Sequence, residues 1–190
     1  MRDPGVIEAG RAPAPSAWVE RFIGLAPKGG QILDVACGRG RHLILGRTMG
    51  FGMVGVDRDL SGLQPDALGA DTEVIAADLE DGSPWPFPGR RFGGVIVTNY
   101  LWRPLLASIV AAVAADGVLI FETFGVGNER LGRPRNPDFL LRPGELIDVV
   151  RPHLTVLAYE HVRLPEPDRI VQRIAALGCD HALARDLGAA

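Results

Sequence analysis

Three acidic residues and a glycine turn are the residues whose types and spacing indicate chemistry. Asp34 lies within an apolar run, and Gly38 and Gly40 follow it. Asp57 and Asp78 each end a later apolar run. A glycine turn after a buried strand lets a ligand approach the backbone, and carboxylates accept hydrogen bonds from ammonium, hydroxyl and amino groups. The spacing therefore predicts a site for a ligand that contains a nucleoside.

The glycine turn departs from the dinucleotide-binding fingerprint, because Leu43 stands where G-x-G-x-x-G has its third glycine. Asp34 would repel a pyrophosphate but suits an ammonium group, held directly or through water. Arg39 and Arg41 lie at a helix N-terminus, which disfavours cations, so they suit a bound carboxylate. The alternative is a purely structural turn whose arginines point to solvent.

The two later acids have more than one use. Asp57 is placed to accept hydrogen bonds from both ribose hydroxyls, a role that would serve NAD equally, and capping the next helix is the alternative. Asp78 suits the amino group of adenine, with the backbone of Leu79 along the ring. A solvated loop acid is the alternative for Asp78.

Short apolar runs that alternate with helical stretches must position these residues, and they indicate an α/β fold with a mostly parallel sheet covered on both faces. Ser16 is the expected N-cap of a first helix. The predicted strands are Gln31–Val35, Met53–Val56, Val74–Ala76, Gly94–Val97, Val118–Phe121, Thr155–Tyr159 and Ile170–Ala176. The predicted helices are Arg41–Met49, Leu60–Leu68, Pro104–Ala115 and Glu145–Val150.

The 190 residues suit a single domain. We expect an N-terminal helix region over residues 1–30, a ligand-binding core over 31–124, a C-terminal helix and strands over 125–178, and a tail over 179–190.

Composition excludes several function classes. Among the 20 basic residues only Lys28 is a lysine, and its position fits neither a phosphate-binding loop nor Schiff-base catalysis. Two cysteines and the absence of C-x-x-C and H-E-x-x-H motifs predict no metal site and a reducing compartment. A net charge of −3 gives no general attraction to nucleic acid or membrane. Residues 1–17 lack the apolar stretch of a signal peptide, so we expect a cytoplasmic protein.

With these motifs in hand, the sequence resembles the class I S-adenosylmethionine-dependent methyltransferases over about residues 31–160. Residues 121–124, 127–130 and 132–145 further resemble a bacterial group described as tellurite-resistance-related. The resemblance implies a Rossmann-like, three-layer fold with a seven-stranded sheet, and S-adenosyl-L-methionine as cofactor. The implied cofactor-binding residues are Asp34, Ala36, Cys37, Gly38, Gly40, Asp57, Arg58, Asp78, Leu79 and Asn99. Ala36 is a departure, since the family motif usually has glycine there.

Methyl transfer from a sulfonium needs alignment and exclusion of water more than a metal or a covalent intermediate. In this fold the end of the fourth strand should lie beside the methyl group, with Tyr100, Trp102 and Arg103 towards the acceptor. Tyr100 and Glu122 are the candidate catalytic residues, and Glu122 is the candidate base. Trp102 fits core packing equally well.

The arginines of residues 130–142 suggest an anionic acceptor bound by Arg133 and Arg135, with a solvated loop as the alternative. No [DN]-P-P-[YFW] motif for a flipped base is present, so the expected partner is a small molecule and not nucleic acid. Two other functions stay open: a nicotinamide-dependent oxidoreductase and a non-catalytic binder of S-adenosylmethionine. The sequence does not indicate the oligomeric state.

Overall fold

The computed structural model describes residues 13–188. Residues 1–12, most of the segment in which we expected no signal peptide, and residues 189–190 lie outside the described part. The strands are β1 Gln31–Val35, β2 Gly52–Asp57, β3 Glu73–Ala76, β4 Phe92–Thr98, β5 Val113–Phe124, β6 Thr155–Pro165 and β7 Asp168–Leu177. The α-helices are α1 Ala17–Phe22, α2 Arg41–Thr48, α3 Pro65–Leu68, α4 Leu106–Ala111, α5 Glu145–Val150 and α6 Ala182–Gly188.

The strands form one seven-stranded sheet in the order β3-β2-β1-β4-β5-β7-β6. Strands β1 to β5 are parallel, and β7 is inserted antiparallel between β5 and β6. A dinucleotide-binding sheet has the parallel order 3-2-1-4-5-6. The α/β fold with a mostly parallel seven-stranded sheet is thus confirmed, and its antiparallel strand distinguishes it from a dinucleotide-binding sheet.

Continuous apolar runs place the central strands in the core. All residues of β4 are buried, and only Gln31 of β1 is exposed. The side chains divide between two hydrophobic clusters: Val35 and Val97 belong to one, and Ile32 and Ile96 to the other. Since alternate side chains point to opposite faces, both faces of the sheet are covered, and the strand ends stay open for a ligand.

Two predicted helices are shorter in the structure. The stretch predicted as Leu60–Leu68 is helical only from Pro65, where an imide without an N–H suits a first helical position. In the stretch predicted as Pro104–Ala115, a 3₁₀ turn precedes α4, which ends at Ala111. Val113 then pairs with Phe92 and begins β5, so sheet pairing overrides the helical pattern there.

The C-terminal segment predicted as a tail packs on the core. Residue Gly178 donates a backbone hydrogen bond to Gly117, and His181 Nε2 lies 3.0 Å from the carbonyl oxygen of Leu25. Helix α6 follows, and its Ala184 side chain is buried. Within residues 13–188, no helix is long and apolar enough to cross a bilayer.

Candidate functional site

A cavity of about 410 Å³ opens at the carboxyl ends of β1 to β4, where open α/β sheets bind ligands. Asp57 and Asp78 both line it, although they follow different strands. The other lining residues are Ala36, Arg58, Ala77, Leu79, Glu80, Thr98, Asn99, Tyr100 and Phe139. The structure therefore brings most of the predicted cofactor-binding residues to one cavity, while their roles stay predictions.

The glycine turn is held against Asp57. The backbone N–H of Gly38 donates to Asp57 Oδ2 at 2.8 Å, and the N–H of Asp59 donates to Oδ1 at 3.0 Å. Gly38 has φ +54° and no atom within 4 Å of a hypothetical Cβ, so its surface is open. Gly40 has φ +75°, and a Cβ there would lie 2.9 Å from Leu63. Gly38 therefore borders open space, whereas Gly40 serves packing.

Two residues at this edge hold conformations that glycine usually adopts. Ala36 after β1 and Asn99 after β4 both have φ +55°, and both line the cavity. A left-handed backbone costs an alanine about 1–2 kcal/mol. Strain of this kind persists where the surrounding structure fixes it, and it concentrates at ligand sites.

Asp34 is a buried carboxylate that the described residues leave without a hydrogen bond. Its side chain is 1% exposed, and neither oxygen has a partner within residues 13–188. His42 Nδ1 lies 3.7 Å from Asp34 Oδ2, while His42 Nε2 accepts from the backbone N–H of Ser16. Accepting at Nε2 leaves the ring proton on Nδ1, facing Asp34. An unpaired buried carboxylate is costly, so a ligand cation here would be stabilising.

Tyr100 is a neutral phenol in this site. Burial and the negative charges of Glu80, Asp78 and Asp57 raise its pKa. Its hydroxyl group is buried and has no partner among the described residues. A neutral, unpartnered hydroxyl can donate a hydrogen bond to a ligand, but it is poorly suited to remove a proton.

Cys37 lies below the turn and not in the cavity. The thiol is buried, with Sγ 3.0 Å from where a Cβ of Gly55 would lie. Burial, followed by the charges of Asp34 and Asp57, raises the pKa of the thiol. A thiol with a raised pKa stays protonated, and only the thiolate is nucleophilic. Cys37 therefore contributes packing to the predicted cofactor turn.

A second cavity, of about 700 Å³, lies between residues 14–17, the start of α2 and the β6–β7 turn, and Glu122 lines it. This carboxylate is 3% exposed and already well paired. It accepts from Ser16 Oγ at 3.2 Å and from Arg173 Nη1 at 3.4 Å, and Arg169 Nη2 is 3.7 Å away. Glu122 is therefore the centre of a buried ion cluster, and its role as a base stays a prediction.

Arg103, one of the predicted acceptor residues, is hydrogen-bonded to the loop before α5. Its guanidinium bonds both carboxylate oxygens of Glu145, at 2.6 and 3.0 Å, and donates to the carbonyls of Asp138 and Leu140. It ties the loop before α5 to the end of β4. These contacts give Arg103 a structural role in this loop, and its expected contact with the acceptor stays a prediction.

The other predicted acceptor residues are divided. Arg133 lines the 700 Å³ cavity, whereas Arg135 and Trp102 line neither cavity. Sequence reasoning missed Phe139 at the first cavity and Arg169 at the second. Nothing in the local sequence marks either residue, because each reaches the site only through the folding of a distant loop or hairpin.

No family model matches the chain, and no curated protein matches it. Several solved structures are similar to the chain. A methyltransferase dependent on S-adenosylmethionine from Mesorhizobium loti is 16% identical, with 85% of this chain and 98% of that chain covered and a TM-score of 0.64. A TehB-like methyltransferase from Corynebacterium glutamicum is 20% identical, with 85% and 86% covered and a TM-score of 0.58.

The chain has the class I methyltransferase fold. The glycopeptide N-methyltransferase MtfA, whose structure contains S-adenosyl-L-homocysteine, is also similar, with 15% identity, 85% of this chain and 88% of that chain covered, and a TM-score of 0.58. At these identities, the likeness concerns the class I methyltransferase fold alone.

Proposed function

We propose that this protein is an S-adenosylmethionine-dependent methyltransferase that acts on a small acceptor by direct displacement. The observation that carries the proposal is the convergence of Asp57 and Asp78 on one cavity, with the buried, unpaired Asp34 two residues before Ala36 of the cavity wall. A sulfonium amino acid joined to adenosine offers an ammonium group, ribose hydroxyls and an adenine amino group to three carboxylates. The resemblance of the sequence and the shared fold support the same cofactor.

The described residues fit the cofactor at each end. Asp34 would pair with its ammonium group, and the open face of Gly38 admits it close to the backbone. Asp57 keeps free lone pairs for ribose hydroxyls although it accepts two backbone hydrogen bonds. Asp78 and Leu79 would face the purine. When bound, S-adenosylmethionine would supply a methyl group activated by the sulfonium sulfur: an acceptor lone pair would bond to the methyl carbon as the carbon–sulfur bond breaks, with S-adenosyl-L-homocysteine as the leaving group.

The chain contributes orientation and shielding to that reaction. Asn99, fixed at φ +55°, lines both the cofactor cavity and the larger cavity beside it. Tyr100 would donate a hydrogen bond from a neutral hydroxyl group. Correct alignment and exclusion of water supply much of the rate in such displacements. The paired state of Glu122 favours an acceptor that needs no protein base.

Binding of S-adenosyl-L-homocysteine and of NADH, measured by isothermal titration calorimetry, tests the cofactor assignment. Asp57→Asn should weaken S-adenosyl-L-homocysteine binding about tenfold or more, since hydrogen bonds to a charged group contribute about 1.5–3 kcal/mol. Asp81→Asn is the matched control, because Asp81 also accepts a backbone hydrogen bond two residues on but does not line the cavity. Tight NADH binding without S-adenosyl-L-homocysteine binding would reverse the assignment.

Turnover is tested separately. Wild-type protein with S-adenosylmethionine and a pool of small acceptors should release S-adenosyl-L-homocysteine, detected by mass spectrometry. Cofactor binding with no release from any acceptor would favour the non-catalytic binder.

A further inference from the structure

Two spaces adjoin the proposed cofactor cavity, and both meet it at Asn99. One is the 700 Å³ cavity described above, and the other is a smaller cavity of about 270 Å³. The two spaces also share Phe124. Tyr100 and Phe139 stand on the walls of the smaller cavity, so a flat apolar group would meet aromatic surface there. A molecule next to Asn99 could extend into both spaces.

Among the described residues that line the larger cavity, Arg169 has a buried side-chain donor without a hydrogen-bond partner. Its Nε atom is buried and has no hydrogen-bond partner within residues 13–188. Its Nη2 lies 3.7 Å from Glu122 Oε1, which is an ion pair without a hydrogen bond. A buried N–H donor without an acceptor is destabilising. A planar oxyanion would satisfy Nε and a neighbouring nitrogen together.

Arg169 is the candidate for binding an oxyanion, because the neighbouring charged side chains have other partners. Asp168 forms two hydrogen bonds with Arg163, at 2.7 and 2.6 Å, and Glu122 is held by Arg173. Within residues 13–188, Arg41 donates to two uncharged oxygens, the carbonyl of Ala14 and the hydroxyl of Thr98. Burial lowers the pKa of Arg41; the negative charges of Asp34 and Glu122 oppose this shift, and the positive charge of Arg169 adds to it. Arg41 and Arg169 both line the larger cavity, and Arg41, which directly follows Gly40, is the one that adjoins the glycine turn.

We propose that the methyl acceptor is a small carboxylic acid with a flat apolar body, whose carboxylate binds Arg169 and whose body lies among Tyr100, Phe124 and Phe139. This inference rests on the proposed function, because it takes the first cavity to hold the cofactor. It also assigns Glu122 to positioning Arg169. Arg133, at the wall of the same cavity, is exposed and is not needed for this contact.

The test measures binding of benzoate, benzamide and acetate to protein saturated with S-adenosyl-L-homocysteine, by ligand-observed NMR. The variants are Arg169→Gln, Arg169→Lys and, as control, Arg151→Gln, which removes an exposed arginine paired with Asp148 outside the cavity. Thermal unfolding and S-adenosyl-L-homocysteine affinity are measured for each variant. These readouts separate the inference from the cofactor assignment on which it rests, which fails if wild-type protein does not bind S-adenosyl-L-homocysteine.

Benzoate should bind wild-type protein more tightly than benzamide or acetate, because only benzoate has both the charge and the flat body. Arg169→Gln should weaken benzoate binding at least about tenfold, the loss expected for a charge-assisted pair of hydrogen bonds. Arg169→Lys should restore only part of it, since an ammonium lacks the planar fork. Benzoate affinity unchanged by Arg169→Gln, or equal binding of the three probes, would overturn the proposal. Should Arg169→Gln not fold, undiminished benzoate binding by Arg169→Lys would overturn it instead.

Discussion

Replacing Glu122 by glutamine tests whether this residue holds the ion cluster together. Glutamine keeps the shape and one acceptor oxygen for Ser16 but removes the charge that faces Arg169 and Arg173. These two side chains are 23% and 17% exposed, so solvent compensates them only in part. The variant therefore leaves two guanidinium groups beside a neutral amide in a mostly buried place.

The expected loss follows from the contact lengths. Removing one partner of a buried ion pair costs about 3–5 kcal/mol. Here the contacts to Arg173 and Arg169 are 3.4 and 3.7 Å, and Arg173 keeps its hydrogen bond with Glu160. We therefore expect Glu122→Gln to lower the free energy of unfolding by about 2 kcal/mol. For a chain of this size, that corresponds to a decrease in Tm of about 4–8 °C.

The assay is thermal and urea unfolding of Glu122→Gln beside Glu160→Gln. Glu160 is the matched control because it also pairs with Arg173 but is 34% exposed, so its loss should cost about 1 kcal/mol or less. Equal changes in the two variants, or a Glu122→Gln protein as stable as wild type, would refute the view of Glu122 as the buried centre of the cluster. Unchanged stability together with lost turnover would instead support the prediction that Glu122 is a base.

Three further predictions concern the turn and the loop. Ala36→Gly should raise Tm by about 1–2 °C, because relief of the left-handed strain at φ +55° slightly exceeds the entropy cost of glycine; a lower Tm would contradict this. Gly40→Ala should destabilise the protein by about 1–3 kcal/mol in urea unfolding, because its Cβ would lie 2.9 Å from Leu63; no change would count against the packing role of Gly40. Partial burial alone would raise the pKa of Glu145, but hydrogen bonds from Arg103 and the loop lower it to about 2. A pKa lowered by folding gives stability that is present above about pH 4.5 and is lost as the pH falls towards 2, so Glu145→Gln should remove about 1–2 kcal/mol of acid-dependent stability. Urea unfolding between pH 5 and 2.5 checks this, and equal pH dependence in both proteins would contradict it.

The sequence by itself determined the sheet and the acids at its edge. Buried strands of a parallel sheet are continuous apolar runs, and their carboxyl ends meet at one edge, so short local patterns sufficed to predict all seven strands and to place Asp57 and Asp78 near each other. The glycine turn could also be predicted from local patterns, because the strand, the turn and the helix that form it are neighbours along the chain.

Only the tertiary structure decided which charged groups are occupied. Strand β7 enters antiparallel, and its register sets Arg173 opposite both Glu122 and Glu160. In the same way, the loop before α5 folds back to use Arg103, and it brings Phe139 to the cavity. Such pairs join residues far apart in the chain, and strand register and loop packing select them from many equivalent arginines and acids. Residue types thus indicated which chemistry is present, and folding decided which of those side chains are left free to perform it.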